Sequence, residues 1–339
     1  MLSILLAALA SPGFAPFTQD ESRPVNVIFD MTEEGEADAW RPIHDTVMGG
    51  RSSGGGERTP VGMRFSGNMS LENNGGFASL RRSVPDDALS GASALAMRVR
   101  GDGSTYKIGL QTPTDRFEIN WQAGFPTVDG EWTTVLLPFE AFTPTWRGQL
   151  VRGSRALNLD RVGTMRLVIG EKQDGPFELD VAWIGTIGHD PEDADPGSLD
   201  ASLVRGARLS ERIANGLPAA ELVELLTRDE RLIVVSQPLK RGGLSIEATL
   251  LLGDLWADWE GIARRDVRVV QLIGDSVGWV AGRELDADAV RALRQALDLD
   301  ADELRVAVTA EDGSVERAWS GAVARAEIFE ALGDRRRTP

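Results

Sequence analysis

The chain contains no cysteine among its 339 residues, and this absence excludes several kinds of chemistry at once. Without a thiol the protein forms no disulfide, uses no thiolate nucleophile, builds no zinc–thiolate site and carries no lipid anchor on cysteine. Histidine is nearly as scarce, with only His44 and His189. A metal site with several imidazole ligands from one chain is therefore excluded as well.

Basic residues are outnumbered, and long apolar runs are missing. The 36 Lys and Arg against 52 Asp and Glu give a formal net charge of −16. A nucleic-acid-binding face needs clustered basic side chains that displace counterions. The only dense basic run lies in the C-terminal tail, residues 334–339. We therefore expect no nucleic acid partner, and the lack of a long apolar segment predicts no membrane span.

The N-terminus carries a short apolar stretch followed by small residues. Residues 1–15 include Ala8-Leu9-Ala10, which fits the small-x-small cleavage pattern of a signal peptide, although the usual basic residues in front are missing. Residues 1–15 are therefore predicted to be a signal peptide, which implies a periplasmic or secreted protein. The alternative is a start codon assigned too late, in which case a cytoplasmic location is expected.

Hydrophobic and polar residues alternate with period two over much of residues 25–187. Leu95, Met97 and Val99, for example, alternate with small or basic residues. This period places successive side chains on opposite faces of a strand, so it predicts half-buried strands. Several such segments separated by turn-forming residues predict an all-β sandwich over residues 25–187.

A different pattern follows an acidic segment. Residues 188–204 contain repeated acids and two prolines, which predicts a stiff, solvated linker. Residues 205–333 then combine hydrophobic residues at helical spacing with short buried strands, in the order βαβαββα of a thioredoxin-like fold. One helix is expected over residues 248–262, Asp286 is expected to cap a later helix, and Asp312-Gly313 predicts the turn of a hairpin. A working thioredoxin carries Cys-x-x-Cys after its first strand, whereas residues 236–243 carry none. We therefore predict a smaller α/β thioredoxin-like domain without redox activity that packs or binds a partner.

Specific motifs in the first half resemble a known family. They are Asp45-Thr46-Val47-Met48-Gly49-Gly50, Asn73-Asn74-Gly75-Gly76-Phe77, Arg100-Gly101-Asp102-Gly103, Leu137-Pro138-Phe139 and Pro144-Thr145-Trp146-Arg147-Gly148. Together they closely resemble the complex I intermediate-associated protein 30 family. The resemblance covers about residues 26–186 and implies a jelly-roll, galactose-binding-like β-sandwich. Members are assembly factors and binding modules without a settled catalytic activity, and mitochondrial members assist assembly of respiratory complex I.

The second half shows a weaker resemblance. Arg265-Asp266-Val267 and Glu311-Asp312-Gly313, within residues 231–332, resemble the domain-of-unknown-function 4174 family, which looks thioredoxin-like. The two resemblances imply a non-enzymatic protein that recognises a protein partner through its sandwich loops. With a signal peptide, such a protein is expected in the cell envelope, where the hydrophilic arm of complex I is out of reach.

The loops supply the candidate site residues. Paired glycines between polar residues predict tight turns that only glycine adopts cheaply, and the loop-structural candidates are Gly49, Gly50, Gly75, Gly76, Gly101 and Gly103. Asp45 is predicted to hydrogen-bond backbone amides of its loop rather than to act with His44 in catalysis. The binding candidates are His44, Asp45, Arg51, Asn73, Asn74, Trp146 and Arg147.

Carbohydrate binding is the first alternative function. Sugar-binding sandwiches use aromatic rings as stacking platforms with polar side chains beside them. The first half contains five tryptophans, of which Trp146 follows a proline turn and is the best candidate for exposure. The sequence therefore leaves a glycan open as the ligand in place of a protein.

An uncharacterised hydrolase that uses acidic residues such as Glu72 or Asp102 is the second alternative. Residues 50–54 match G-x-S-x-G, but no helix can follow them, so a serine nucleophile is disfavoured. No set of catalytic residues can be recognised in the sequence, and we predict that the protein is not an enzyme. We expect no cofactor, with a structural calcium ion on Asp30, Glu34 and Asp180 as a weak suggestion.

Overall fold

The structure is a computed structural model that describes residues 25–112, 119–146, 149–153, 156–170, 173–188, 199–239 and 245–333. The predicted signal peptide, the basic tail and most of the predicted linker lie outside the described residues. In the first half the strands follow in this order: β1 (Asn26–Asp30), β2 (Arg41–Pro42), β3 (Ser53–Thr59), β4 (Gly62–Met69), β5 (Ala78–Ser83), β6 (Ala94–Gly101), β7 (Thr105–Thr112), β8 (Ile119–Pro126), β9 (Trp132–Pro138), β10 (Thr143–Trp146), β11 (Gln149–Leu150), β12 (Thr164–Ile169) and β13 (Gly175–Ile187).

These strands form two antiparallel sheets that face each other. The first sheet has the spatial order β3-β4-β13-β6-β9, with β1 paired to the end of β13. The second has the order β11-β10-β8-β7-β12-β5-β2. A four-residue helix, α1 (Glu36–Ala39), connects β1 to β2. The predicted jelly-roll-type β-sandwich is confirmed.

The strand periodicity explains the core of the sandwich. Met97 and Val99 of β6 are fully buried, as are Ile108 and Leu110 of β7, because alternate side chains of both sheets point between them. Residues of the opposite parity, such as Arg98 of β6, lie on the outer faces. The sequence pattern therefore predicted both the strands and the face that each strand buries.

The second half forms a three-layer α/β unit. Its helices are α2 (Leu199–Ala214), α3 (Ala219–Arg228), α4 (Ile246–Ala257), α5 (Trp259–Arg264), α6 (Ala287–Leu297) and α7 (Arg325–Leu332). Its strands are β14 (Arg231–Gln237), β15 (Val267–Ile273), β16 (Val277–Val280), β17 (Arg283–Leu285), β18 (Arg305–Thr309) and β19 (Val315–Ser320). The sheet order is β17-β16-β15-β14-β18-β19, and β14 and β15 are parallel.

The predicted order βαβαββα is present with three differences. The hairpin of β16 and β17 is added at one edge of the sheet. The single helix expected around residues 248–262 is two helices, because Asp258 ends α4 and its side chain caps α5 at the amide of Gly261. Helix α2 begins at Leu199, inside the segment expected to be linker. The thioredoxin-like assignment itself stays a prediction.

The two halves share one hydrophobic core. Helix α4 packs against β8 on the outer face of the second sheet and also contacts β9 of the first sheet. Residues of both halves belong to one buried cluster. One close approach lies between Gly253 of α4 and Gly124 of β8. A Cβ atom on Gly253 would stand 3.2 Å from the carbonyl carbon of Gly124. Helix and sheet therefore meet backbone to backbone.

Enlarging this contact is expected to push the halves apart. Gly253→Leu places a whole side chain where a Cβ alone is already crowded. We expect faster cleavage by a protease around residues 189–198 and a larger hydrodynamic radius. Gly163→Leu is the matched control, because nothing lies within 4 Å of its Cβ position. Equal cleavage of both variants and the wild type would contradict the contact.

A buried ion pair also lies between the halves. Glu140 follows β9 in the 3₁₀ turn Phe139–Ala141, and Arg268 lies on β15 with only 1% of its side chain exposed. The Arg268 Nη1 and Glu140 Oε1 atoms are 3.6 Å apart. Both Glu140 oxygens lack a hydrogen-bond partner within the described residues. Burial therefore raises the pKa of Glu140, although the guanidinium of Arg268 opposes the rise.

Candidate functional site

The carboxylate of Asp45 joins two loops that are distant in sequence. It is buried, with 1% exposure, and begins the 3₁₀ turn Asp45–Met48. One oxygen accepts hydrogen bonds from the amides of Gly76 at 2.7 Å and Phe77 at 3.3 Å. The Ser52 hydroxyl donates to that same oxygen at 2.5 Å, and the Ser52 amide donates to the other oxygen at 3.0 Å. We call residues 44–53 and 70–77 together the braced loop pair.

The hydrogen bonds set the charge state of Asp45. Burial alone would raise the pKa of this carboxyl, but the hydrogen bonds from Ser52, Gly76 and Phe77 together outweigh burial. The pKa of Asp45 is therefore lowered, and the carboxylate is ionised at neutral pH. An ionised acceptor strengthens each of these bonds, so Asp45 serves to hold the loops together.

At two of the predicted glycine positions, the Asp45 carboxylate leaves no room for a side chain. A Cβ atom on Gly50 would lie 2.4 Å from Cγ of Asp45. On Gly75 it would lie 2.6 Å from the carbonyl oxygen of Ser70 and 2.8 Å from Oδ2 of Asp45. Any side chain at either position would displace the bracing group. Gly49 and Gly76 continue the same loops with φ values of 92° and 145°.

His44 has no free ring nitrogen. Its Nδ1 accepts a hydrogen bond from the Ser79 amide at 3.3 Å, and its Nε2 donates to the Gly54 carbonyl oxygen at 2.8 Å. Both partners are backbone groups, so the imidazole is the neutral Nε2–H tautomer. The ring therefore anchors the loop to β3 and β5 and is not placed to take a proton from a substrate.

The residues considered for hydrolysis, Asp102, Glu72 and Ser52, each form a hydrogen bond or an ion pair with another residue of the domain. Asp102 accepts hydrogen bonds from the Tyr106 hydroxyl at 3.0 Å and from the Glu178 amide at 2.9 Å. Glu72 forms an exposed ion pair with Arg51 at 2.8 Å. Ser52, the serine of the G-x-S-x-G match, is fully buried beneath Asp45. These groups therefore do not form a hydrolytic site with one another.

Gly101 and Gly103 lie at a separate turn. A Cβ atom on Gly101 would stand 2.3 Å from the hydroxyl oxygen of Thr127, and Gly103 has a φ of 84°. The Gly103 amide donates to the same hydroxyl at 3.2 Å. This turn is therefore packed against the segment after β8, away from the braced loop pair.

The outer surface of the braced loop pair is apolar at its centre and charged at its edge. Val47 is 72% exposed and Leu71 is 40% exposed. The ion pair of Arg51 and Glu72 flanks them, with both side chains largely exposed. Asn73 adopts a left-handed conformation with φ 56° and is exposed. Of Asn74, only the backbone is described, in the same short turn.

The aromatic candidates do not join this surface. Trp146, at the end of β10, is 41% exposed, and Arg147 lies outside the described residues. Trp40 and Trp121 belong to the core, and the remaining two of the five are half-buried. Within the described residues, Trp146 is thus the one strongly exposed indole of this half. One ring does not provide a platform of several stacking rings.

Helix α4 also restricts the outer face of the second sheet. Polar side chains of that face, including Gln122 and Thr145, border the helix across a cavity of about 60 Å³. This volume holds a few water-sized groups, far less than an oligosaccharide needs. The face that carries hydroxyl-reading side chains is therefore partly closed by the second half of the chain.

Two of the three carboxylates suggested for calcium, Asp30 and Asp180, have other partners. Asp180 accepts hydrogen bonds from the guanidinium groups of Arg64 at 2.8 Å and Arg100 at 3.0 Å, and these lower its pKa against the effect of burial. Asp30 accepts from the amide and hydroxyl of Thr32. In the described part of the chain, no three acidic or histidine side chains are grouped for a metal ion. Calcium at Asp30, Glu34 and Asp180 stays a prediction.

Sequence reasoning missed the roles of Ser52, Arg64 and Arg100. The reach of Asp45 to residues 31 and 32 positions ahead has no local signal in the sequence, because periodicity reports only neighbours within one element. Asp180 lies opposite Arg64 and Arg100 on the two neighbouring strands, and this pairing can be recognised only once the register β4-β13-β6 is known. The sequence motifs thus indicated where the loops lie, but not which side chains hold them together.

Both family resemblances are confirmed by comparison with known proteins. Residues 29–181 match the model of the family Complex I intermediate-associated protein 30, and residues 223–333 match the model of Domain of unknown function (DUF4174). The braced loop pair lies entirely within the first match. Each half of the chain is therefore similar to one of these families over the matched residues.

Relatives of the first domain come from several animals. The complex I intermediate-associated protein 30 of Mus musculus is 24% identical over 233 residues, which cover 60% of this chain and 69% of the mouse protein. Its probable counterpart in Caenorhabditis elegans is 32% identical over 98 residues, which cover 27% of this chain and 28% of that protein. The Drosophila melanogaster protein is 31% identical over 104 residues, which cover 29% of this chain and 34% of the fly protein.

Solved structures resemble the sandwich half at low identity. The family 11 carbohydrate-binding module from Clostridium thermocellum, in complex with a mixed-linked tetrasaccharide, is 19% identical with a TM-score of 0.39. That match covers 49% of this chain and 98% of the module. The carbohydrate-binding module CBM28, specific for non-crystalline cellulose, is 12% identical with a TM-score of 0.32, covering 49% of this chain and 96% of that module.

The expected periplasmic or secreted location is wrong. The mouse, nematode and fly relatives are all named as mitochondrial proteins. The expectation rested on a short apolar N-terminus without basic residues, which lies outside the described residues. Across those residues, no helix combines the length and apolar character that crossing a bilayer requires.

Proposed function

We propose that this protein is a non-catalytic binding protein that docks on an intermediate of respiratory complex I through the braced loop pair. The observation that carries the proposal is the family match over residues 29–181, together with relatives named for their association with a complex I intermediate. Two of the sequence motifs that resemble this family lie in the two loops that Asp45 joins. The partner is accordingly a protein.

The chemistry of the loop surface supports a protein partner. Val47 and Leu71 are exposed aliphatic side chains on one pair of loops, and the charged pair of Arg51 and Glu72 borders them. An apolar centre with a polar edge is the arrangement that protein interfaces use. Small sugars and nucleotides are instead recognised mainly through polar groups and aromatic rings.

The bracing also favours binding. A loop that becomes ordered only on association loses conformational entropy at that moment, which weakens the complex. Here Asp45 holds both loops through hydrogen bonds to three residues before any partner arrives. Gly50 and Gly75 admit no alternative side chain beside that carboxylate. The buried motif thus positions the exposed residues, and the exposed residues contact the partner.

Charging the loop surface is expected to abolish partner capture. The experiment compares tagged full-length wild type with the double variant Val47→Asp/Leu71→Asp, after mild crosslinking in the native host. Complex I subunits recovered with the bait are quantified by mass spectrometry. We expect recovery to fall at least about tenfold, because two carboxylates in an apolar interface centre must be desolvated.

The control variant is Val61→Asp, in the turn between β3 and β4, where the valine is 44% exposed. It adds a similar charge to the same domain at a different surface, and it is expected to retain wild-type recovery. Equal melting temperatures of all three proteins establish that the loops remain folded. Undiminished recovery with the double variant, or no complex I subunits with the wild type, would refute the proposal.

A further inference from the structure

A cleft opens where the β-sandwich meets the second half of the chain. Its volume is about 220 Å³. The sandwich contributes Phe139, Leu157 and Leu159, which are half-buried, and helix α2 contributes the buried Leu203. Most of the wall is therefore hydrocarbon. Unlike the braced loop pair, this cleft has no place in the proposed function.

One cation of this cleft, Arg283, forms no ion pair within the described residues. Arg283, at the start of β17, is half-buried, and its Nε donates a 2.7 Å hydrogen bond to the Ser210 hydroxyl on α2. Among the described residues, no carboxylate lies within ion-pair distance of Arg283, and burial lowers the pKa of its guanidinium. A desolvated cation without a counter-ion is energetically unfavourable, and an anion beside it would relieve that cost.

The other charged group of the cleft is already countered. Glu140 also borders the cleft, but its carboxylate lies 3.6 Å from the Arg268 guanidinium. The charge that remains uncompensated is thus the positive charge of Arg283. Gly206 and Gly282 stand beside Glu140, and a Cβ atom on Gly282 would come within 3.2 Å of the Glu140 Cα. Because Gly206 and Gly282 have no side chains, they lie close to Glu140 and leave the neighbouring space of the cleft unfilled.

We propose that this cleft binds a small monocarboxylate with a hydrocarbon tail. The carboxylate pairs with the Arg283 guanidinium and the Ser210 hydroxyl, and the tail lies against Phe139, Leu157 and Leu159. A volume of about 220 Å³ holds roughly seven groups the size of a water molecule. A six-carbon carboxylate, with its charged group at the Arg283 end, matches that size. The ligand site would connect both halves of the chain.

The test titrates the full-length protein with hexanoate by calorimetry at pH 7. We expect saturable binding with one site per chain. Arg283→Gln is expected to weaken it at least roughly tenfold, because a charge-assisted pair is replaced by a neutral amide. Hexan-1-ol, which has the tail without the charge, is expected to bind more weakly than hexanoate by a similar factor.

Two further variants separate the site from general effects. Arg208→Gln removes an exposed arginine of the same helix, α2, and is expected to leave hexanoate binding unchanged. Ala207→Trp fills the mouth of the cleft without altering any charge, and is expected to block binding while the protein stays folded. Circular dichroism and melting temperature report the fold of each variant.

Several outcomes overturn the inference. These are absence of saturable heat with hexanoate, equal affinity in Arg283→Gln and the wild type, or equal affinity for hexanoate and hexan-1-ol. Retained binding in Ala207→Trp would place the ligand elsewhere. Because complex I capture is measured separately, failure of this test leaves the proposed function unaffected, and failure of capture leaves this site unaffected.

Discussion

Replacing Asp45 by alanine is expected to lower the free energy of unfolding by about 3–5 kcal/mol. The variant leaves the amides of Ser52, Gly76 and Phe77 without the acceptor that they share. It also leaves the buried Ser52 hydroxyl without its shortest hydrogen bond. For a domain of this size the loss corresponds to a fall in melting temperature of roughly 10 °C. Thermal and urea unfolding measure both quantities.

The pH dependence of the free energy of unfolding tests whether the ionised Asp45 carboxylate causes this stabilisation. The pKa of Asp45 is lower in the folded protein than in the unfolded chain, so its contribution is complete above the unfolded value of about 3.9. That contribution is lost as pH falls through the lower, folded pKa. Asp45→Asn cannot be protonated, so its stability should change less than that of the wild type over this acidic range. The difference between the two proteins therefore shrinks as pH falls.

The matched control is Asp86→Ala, in the exposed turn after β5. Removal of an exposed carboxylate is expected to change stability by no more than about 0.5 kcal/mol. If Asp45→Ala unfolds at the wild-type temperature, the carboxylate does not hold the loops. If it unfolds early but Asp45→Asn is as stable as the wild type at neutral pH, shape rather than charge is the stabilising property.

The sequence predicted those features whose cause is local. Alternation in β6 and β7 predicted which side chains are buried, since strand geometry fixes that face. The Asp286 cap of α6 was predicted from one residue, and its carboxylate accepts from the Ala289 amide at 2.7 Å. The hairpin around Gly313 was predicted from the Asp-Gly pair, and Gly313 has a φ of 79°.

Features whose cause is distant were not predicted. The contact of Gly124 with Gly253 joins residues of different halves, and each glycine alone is consistent with an ordinary strand or helix. Asp258 was read as part of one long helix because the hydrophobic spacing on both sides continues across it. The partners of Asp45 illustrate the same limit within the candidate site. The motifs indicated the positions of the two loops, whereas only the fold shows that one carboxylate contacts both.

Breaking the ion pair between the halves is the second large effect that we expect. Arg268→Met removes the cation nearest to Glu140 and leaves a buried carboxylate with no hydrogen-bond partner among the described residues. We expect a loss of about 3–5 kcal/mol at pH 7. The double variant Glu140→Met/Arg268→Met replaces both charges by side chains of similar volume. It is expected to be as stable as the wild type or more stable, because neither charge then needs to be desolvated.

The sign of the pH dependence follows from the raised pKa of Glu140. The protonated form is favoured in the folded protein, so below the unfolded value of about 4.3 the carboxyl imposes no charge penalty. As pH rises from this value through the higher, folded pKa, the stability of the folded protein falls, because the unfolded chain loses the proton more readily. Glu230 faces the same guanidinium, and burial raises its pKa too, so it contributes in the same direction. Arg268→Met should therefore lose stability relative to the double variant as pH increases.

An exposed pair provides the control for these charge changes. Arg264 and Glu260 on α5 form an ion pair at 3.1 Å with both side chains exposed, so Arg264→Met is expected to cost less than about 1 kcal/mol. A small effect of Arg268→Met, or a double variant as unstable as the single one, would contradict the account. Glu140 and Arg268 lie where the halves meet, and Glu140 titrates with a raised pKa. Removal of both charges should therefore make the association of the two halves less dependent on pH. Hydrogen exchange of α4 and β8 at pH 5 and pH 8 measures that dependence, and it should be weaker in the double variant than in the wild type.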